Sequence, residues 1–325
     1  MTRVRVLTCW LTIAACLPYV GLKLAWIFGS GIGGADEQMT RSSVVVANVV
    51  TMGMDLVAIV IVLAFTYRWG RRIPAWLVLV PMWVGTGLLA PIALGLPLGV
   101  LVQLIVGGSP AASGATLDGW VFAVVYGGFT LQAVGLTIAF ALYARDRWAA
   151  LFETTELRRG ATHDLQLLIA KAGAVVATGF AGMQIAWAVT GGQLGGQPTA
   201  VETAAQKTFY LVRALIAVAG AVSLLVFVHG RSTWFSLAGA WVGTGFLFAS
   251  GLFDLLIEPE GDVLRLTALA ATLVGLLTGI AAILAAIDHL HAQSHLRPLG
   301  AVGEEGVEVA LGDLSGREAE RALVE

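Results

Sequence analysis

Charge is scarce in this chain. Only 12% of its 325 residues are Asp, Glu, Lys or Arg, and 58% are hydrophobic, where a soluble domain carries about 25% charged residues. That shortage excludes an ordinary water-soluble fold. It also overrides the chain length, which alone would suggest two soluble domains. Lysine is rarest, with three against sixteen arginines, while glycine reaches 40. The bias points to a high-GC bacterial genome and so to a cytoplasmic (inner) membrane.

Cysteine is nearly absent. Cys9 and Cys16 are the only two, with no CxxC. A heptad apart on one helix, they are separated by about 10 Å of rise, too far for a disulfide. They read as small packing residues. Histidine is missing where haem would need it: His163, His229, His289, His291 and His295 all fall at span ends or beyond, which argues against an intramembrane b-type haem. His291 and His295 have the i, i+4 spacing of metal ligands, near Asp288, but a solvated helix end explains them better. No metal and no cofactor is expected. GxxxxGK[ST], HExxH and GxSxG are all absent, so nucleotide-driven pumping, metalloprotease and hydrolase readings lack support. No acidic cluster is present to hold a diphosphate through magnesium, and no basic domain to bind nucleic acid.

What the chain does contain is apolar length. Eight runs, near 6–28, 44–67, 76–98, 119–144, 165–190, 208–228, 234–257 and 264–287, each match the ~30 Å hydrocarbon core of a bilayer. Backbone groups in lipid must be satisfied internally, so all eight read as helices. The first run has a basic start but exceeds the apolar core of a signal peptide and lacks a clean cleavage site; it reads as a retained span. Arginine marks alternate loops: Arg3 and Arg5, then Arg68, Arg71 and Arg72, then Arg145, Arg147, Arg158 and Arg159, then Arg231. By the positive-inside rule these are cytoplasmic, with both termini.

The pentapeptide WVGTG occurs twice, at Trp83-Val-Gly85-Thr86-Gly87 and at Trp241-Val-Gly243-Thr244-Gly245. A second echo precedes each copy: YVGLKLAW, containing Lys23, reads against FAGMQIAW, containing Gln184. The offset is 161 residues at the first echo and 158 at the pentapeptide. The predicted fold class is therefore all-α integral membrane, with eight transmembrane helices as two parallel four-helix repeats. The first repeat takes 1–145 and the second 164–289. Residues 146–163 form a cytoplasmic linker with an interfacial helix. Residues 290–325 are a polar cytoplasmic tail, disordered at first and ending in a helix with a capping box at Ser315–Glu318. After the third span, Pro91 and Pro97 break helical continuity; 91–106 reads as a kinked extension, an interfacial helix or a re-entrant loop.

Intramembrane charges are costly and face protein or water. Lys23, Asp55 and Arg213 stand out, with Gln184 at the repeat position of Lys23. Lys171 and Asp254 lie near span ends, within reach of the interface, and rank lower; Gln103 and Gln132 rank lower still. One reading gathers Lys23, Asp55, Gln184 and Arg213 into a polar site at the pseudo-axis, in the outer half of the membrane. There it would bind an anionic or zwitterionic solute or relay protons. The other makes them a structural cluster in which Lys23 or Arg213 contacts Asp55. The pentapeptides read as close-packing sites.

Three functions remain open: a secondary transporter or permease-like protein for a small polar or amphipathic solute; a non-catalytic scaffold or complex subunit, docking a protein partner through the tail; and an integral-membrane enzyme on a lipid or isoprenoid. Lipid bilayer is the expected surrounding in all three.

Overall fold

The structure, a computed structural model, describes residues 3–34, 42–108, 117–153, 160–193, 201–230, 233–257 and 262–288. The tail, its capping box and the three histidines beyond Asp288 lie outside these. Eight long apolar helices account for the eight predicted spans: α1 (Arg3–Ile27), α2 (Ser42–Thr66), α3 (Ala75–Val106), α4 (Gly119–Arg147), α6 (His163–Thr190), α7 (Ala204–Val228), α8 (Trp234–Ile257) and α9 (Asp262–Asp288). A single turn, α5 (Ala150–Glu153), represents the predicted interfacial helix among the described residues, and a 3-10 turn at Arg68–Arg72 joins α2 to α3. No strand occurs among the described residues. The protein is an all-α, multi-pass membrane protein.

Residues 91–106 form neither a re-entrant loop nor a separate helix. α3 runs unbroken for 32 residues through Pro81, Pro91 and Pro97, about 48 Å of helix. Packing outweighs the missing N–H donors. The Gly95 and Gly99 positions let α7 approach to Phe209 and to the Ala205 backbone. Gln103 then fastens the far end: its carbonyl accepts from Ala205 N–H at 3.0 Å and its amide donates to Gly107 O at 2.6 Å. The start of α7 is further set by a capping box between Thr203 and Gln206, worth about 1 kcal/mol by analogy with N-caps elsewhere.

Contacts fix the helix directions. On α3 and α7, Gly95 meets Phe209 and Gly99 meets Ala205, so the two run antiparallel. On α7 and α8, Gly220 meets Gly243 and Arg213 meets Asp254, again antiparallel. α3 and α8 therefore run the same way. They meet through the two pentapeptides. Trp83 Nε1 donates to Thr244 Oγ1 at 3.1 Å, and Trp241 Nε1 donates to Thr86 Oγ1 at 3.4 Å. Each indole also lies on the last helix of the opposite half: Trp241 stacks on Phe140 of α4 at 5.1 Å, and Trp83 lies against Gly279 of α9. A Cβ at Gly87 would overlap the Gly245 carbonyl, one at Gly243 would overlap Gly220 and one at Gly245 would press on Trp83, whereas Gly85 faces open space.

Candidate functional site

The four polar residues singled out above do not form one group. They separate into two polar knots, one in each half, both toward the end of the bundle remote from Arg3 and Arg5.

The first knot joins α1, α2 and α4. On α1, Tyr19, Lys23 and Trp26 follow at helical spacing and face inward. The Lys23 side chain is buried, with 8% of the residue exposed. Its Nζ donates to Asn48 Oδ1 at 2.6 Å and sits 4.8 Å from the Tyr19 ring centroid and 5.5 Å from that of Trp26. On α2, Asn48, Thr51 and Asp55 share one face. Asp55 is 3% exposed; its Oδ1 accepts from Gln132 Nε2 of α4 at 3.1 Å. Asp55 Oδ2 and Asn48 Nδ2 are buried and have no hydrogen-bond partner. Lys23 and Asp55 make no direct bond to each other. An ammonium has three donors and a carboxylate about four acceptor sites, so both ends of the knot keep capacity in hand.

The second knot joins α7 and α8. Arg213 Nη2 donates to Asp254 Oδ2 at 2.9 Å, with both side chains 13% exposed. The guanidinium lies 5.9 Å from the ring centroids of Phe180, Tyr210 and Phe246. Gln184, at the repeat position of Lys23, is fully buried on α6, and neither its amide oxygen nor its nitrogen has a partner.

Asp55, expected to contact Lys23 or Arg213 directly or through water, makes no direct bond to either. Asp55 is bonded to Gln132, Lys23 to Asn48 and Arg213 to Asp254. The reason is packing: α2 packs mainly on α1 and α4, whereas α7 packs on α6, α8 and α3, so Asp55 and Arg213 face different neighbours. Three residues of the knots were passed over or ranked low. Asn48 carried a readable signal, the i, i+3, i+7 spacing with Thr51 and Asp55 on one apolar helix. Gln132 carried none, and Asp254 was discounted because a side chain near a span end can reach water. Lys171, ranked beside it, is exposed.

Room is limited. A shallow open notch of about 460 Å³ is lined by Leu255, Arg265, Leu266 and Leu269, and a void of about 10 Å³ lies among the small residues of α6, α7, α8 and α9. None of the knot residues lines either cavity. Among the described residues no group of three or more His, Cys, Asp or Glu side chains is arranged to hold a metal. Both cysteines are free and buried.

No protein-family model, no curated protein and no solved structure matches the chain.

Proposed function

We propose that this multi-pass membrane protein is a permease-like carrier for a small polar or amphipathic solute, built as two four-helix repeats of the same orientation. The knot around Lys23, Asn48, Asp55 and Gln132 is its solute-facing element, and the Arg213–Asp254 pair is the fixed support of the other half. One observation carries the reading. Buried Asp55 Oδ2 and Asn48 Nδ2 lack partners beside an ammonium that donates one 2.6 Å bond to a neutral amide. Buried polar groups are ordinarily satisfied, and leaving one unpaired costs about 1–3 kcal/mol. A solute with an anionic group for Lys23 and Asn48 and a donor for Asp55 would use this capacity. The solute would have to enter by opening of the helices around α1, α2 and α4, since neither described cavity adjoins the knot. Both termini are assigned to the cytoplasm and the knots to the outer half of an inner membrane, on the arginine distribution.

The test uses the purified full chain. A panel of small anionic and zwitterionic metabolites is screened for thermal stabilisation, and any hit is followed by counterflow in proteoliposomes. At least one compound is expected to stabilise the wild type but not Asp55→Asn, and to exchange only through the wild type. A panel in which every compound acts equally on both proteins would sink the carrier reading.

A second reading, a non-catalytic scaffold, is favoured by the closely packed glycine seam between α3 and α8. In that case the unpaired polar atoms are a stability cost, and Asp55→Asn would raise thermal stability without changing any flux.

A further inference from the structure

The end of the bundle opposite the polar knots has its own chemistry. The first turn of α1, the turn at 68–72 and the last turn of α4 bring together seven arginines and a single carboxylate, Asp146. Asp146 Oδ2 binds two of them, Arg5 at 2.8 Å and Arg71 at 2.9 Å. Arg147 is also committed: it donates to Ile73 O at 3.0 Å and to the Tyr143 hydroxyl, and lies 5.2 Å from the Trp148 ring. These bonds draw the three segments to one place. Arg3, Arg68, Arg72 and Arg145 remain exposed there, with no ion pair or side-chain hydrogen bond among the described residues. The same end of the second half carries no arginine among the described residues.

The surface beside these arginines is apolar. Leu7 and Leu11 on α1 are 62% and 61% exposed, and Trp69 and Trp76 flank the 68–72 turn at 44% and 65%. Guanidinium groups pair with phosphate oxygens in a planar, two-pronged geometry, and tryptophan settles at the headgroup level. A free inorganic anion would use the arginines and leave the adjoining helix surface unused.

We propose that this end of the first half is a binding site for an anionic diacyl phospholipid. Its phosphate engages the uncommitted arginines, Arg68, Arg72 and Arg145 foremost, and its chains lie along the exposed faces of α1 and α3.

The full chain, purified in neutral detergent, is given mixed micelles of phosphatidylglycerol and phosphatidylcholine, and retained lipid is counted by native mass spectrometry. Phosphatidylglycerol should be retained about a hundredfold over phosphatidylcholine, the equivalent of roughly 1 kcal/mol for each of three arginines near an anionic surface. The preference should fade as salt rises from about 0.1 M to about 1 M. Arg68→Gln/Arg72→Gln/Arg145→Gln should abolish it, whereas Arg265→Gln, at the opposite end, should leave it intact. The three replaced side chains hold no other residue in place, and the salt titration of the wild type needs no variant. Equal retention of the two lipids by the wild type, or an unchanged preference in the triple variant, overturns the proposal. So does displacement of the lipid by inorganic phosphate alone, which would make this a free-anion site.

Discussion

In the first half, Lys23 and Asp55 are each held by a neutral amide, Asn48 and Gln132. In the second, Arg213 and Asp254 hold each other, and the amide at the position of Lys23, Gln184, is left over. Both arrangements lie toward the end of the bundle remote from Arg3 and Arg5, yet they differ in bonding pattern. A direct ion pair spends each charge on the other, although Arg213 Nε is left buried without a hydrogen-bond partner. A charge held by an amide is solvated but not neutralised, so its field and its remaining donors or acceptors stay available to a third party. The second knot therefore suits a strut and the first suits a site.

Breaking the strut should have the largest effect. Asp254→Ala leaves the Arg213 guanidinium among Phe180, Tyr210 and Phe246 without its counter-ion. Removing one member of a buried pair costs about 3–5 kcal/mol. Lower thermal stability and poor recovery as a monodisperse protein are expected, with partial recovery in Asp254→Ala/Arg213→Met. A single variant as stable as the wild type would show that the pair is not a strut.

The seam comes next. Gly87→Leu must push the backbone of α3 away from the Gly245 carbonyl, and overpacking of this kind costs about 1–3 kcal/mol or more. Gly85→Leu, where a side chain meets open space, should be close to neutral by the same thermal assay. Equal sensitivity at the two glycines would contradict the seam geometry. The reciprocal indole bonds are weaker. Trp83→Phe and Trp241→Phe each remove one hydrogen bond, worth about 0.5–1.5 kcal/mol. The shorter bond, Trp83 to Thr244 at 3.1 Å against 3.4 Å, predicts the larger loss for Trp83.

The eight spans were legible because they depend on composition over about 20 residues, which no single contact can overturn. The extent of α3 was not, because Pro91 and Pro97 argue locally for a break, while the deciding term is its packing through Gly95, Gly99 and Gln103 on a helix a hundred residues away. The polar residues were found, but their partners were misassigned. Repeat-equivalent positions meet only when their helices stand at the seam. The pentapeptide helices, α3 and α8, stand there, and Trp83 and Trp241 accordingly reach across it. α7, which carries Arg213, also packs on α3, but Arg213 is turned to Asp254 of α8, and Asp55 on α2 is bonded to Gln132 of α4, so each charge was completed from within its own half. Asn48 had a pattern to reveal it; for Gln132, a lone polar residue in an apolar run, nothing in the sequence separated a ligand of Asp55 from a bystander.

The smallest expected effect on stability is the most informative for function. Asp55→Asn keeps the side chain's shape and an oxygen able to accept from Gln132, and it removes a buried charge that has no direct counter-ion. The new amide group also brings donors that Lys23 cannot satisfy. Gain and loss offset, and thermal stability should move by less than about 1 kcal/mol, within the range of an ordinary buried hydrogen-bond change. Lys23→Met should be similarly mild, because Asn48 loses one bond while the buried ammonium disappears. Both variants should nevertheless abolish exchange of any solute the wild type carries, since each removes the charge that the other half has no equivalent for. If instead Asp55→Asn destabilises as severely as Asp254→Ala, the first knot is a strut like the second, and the contrast between the halves is one of bonding pattern alone.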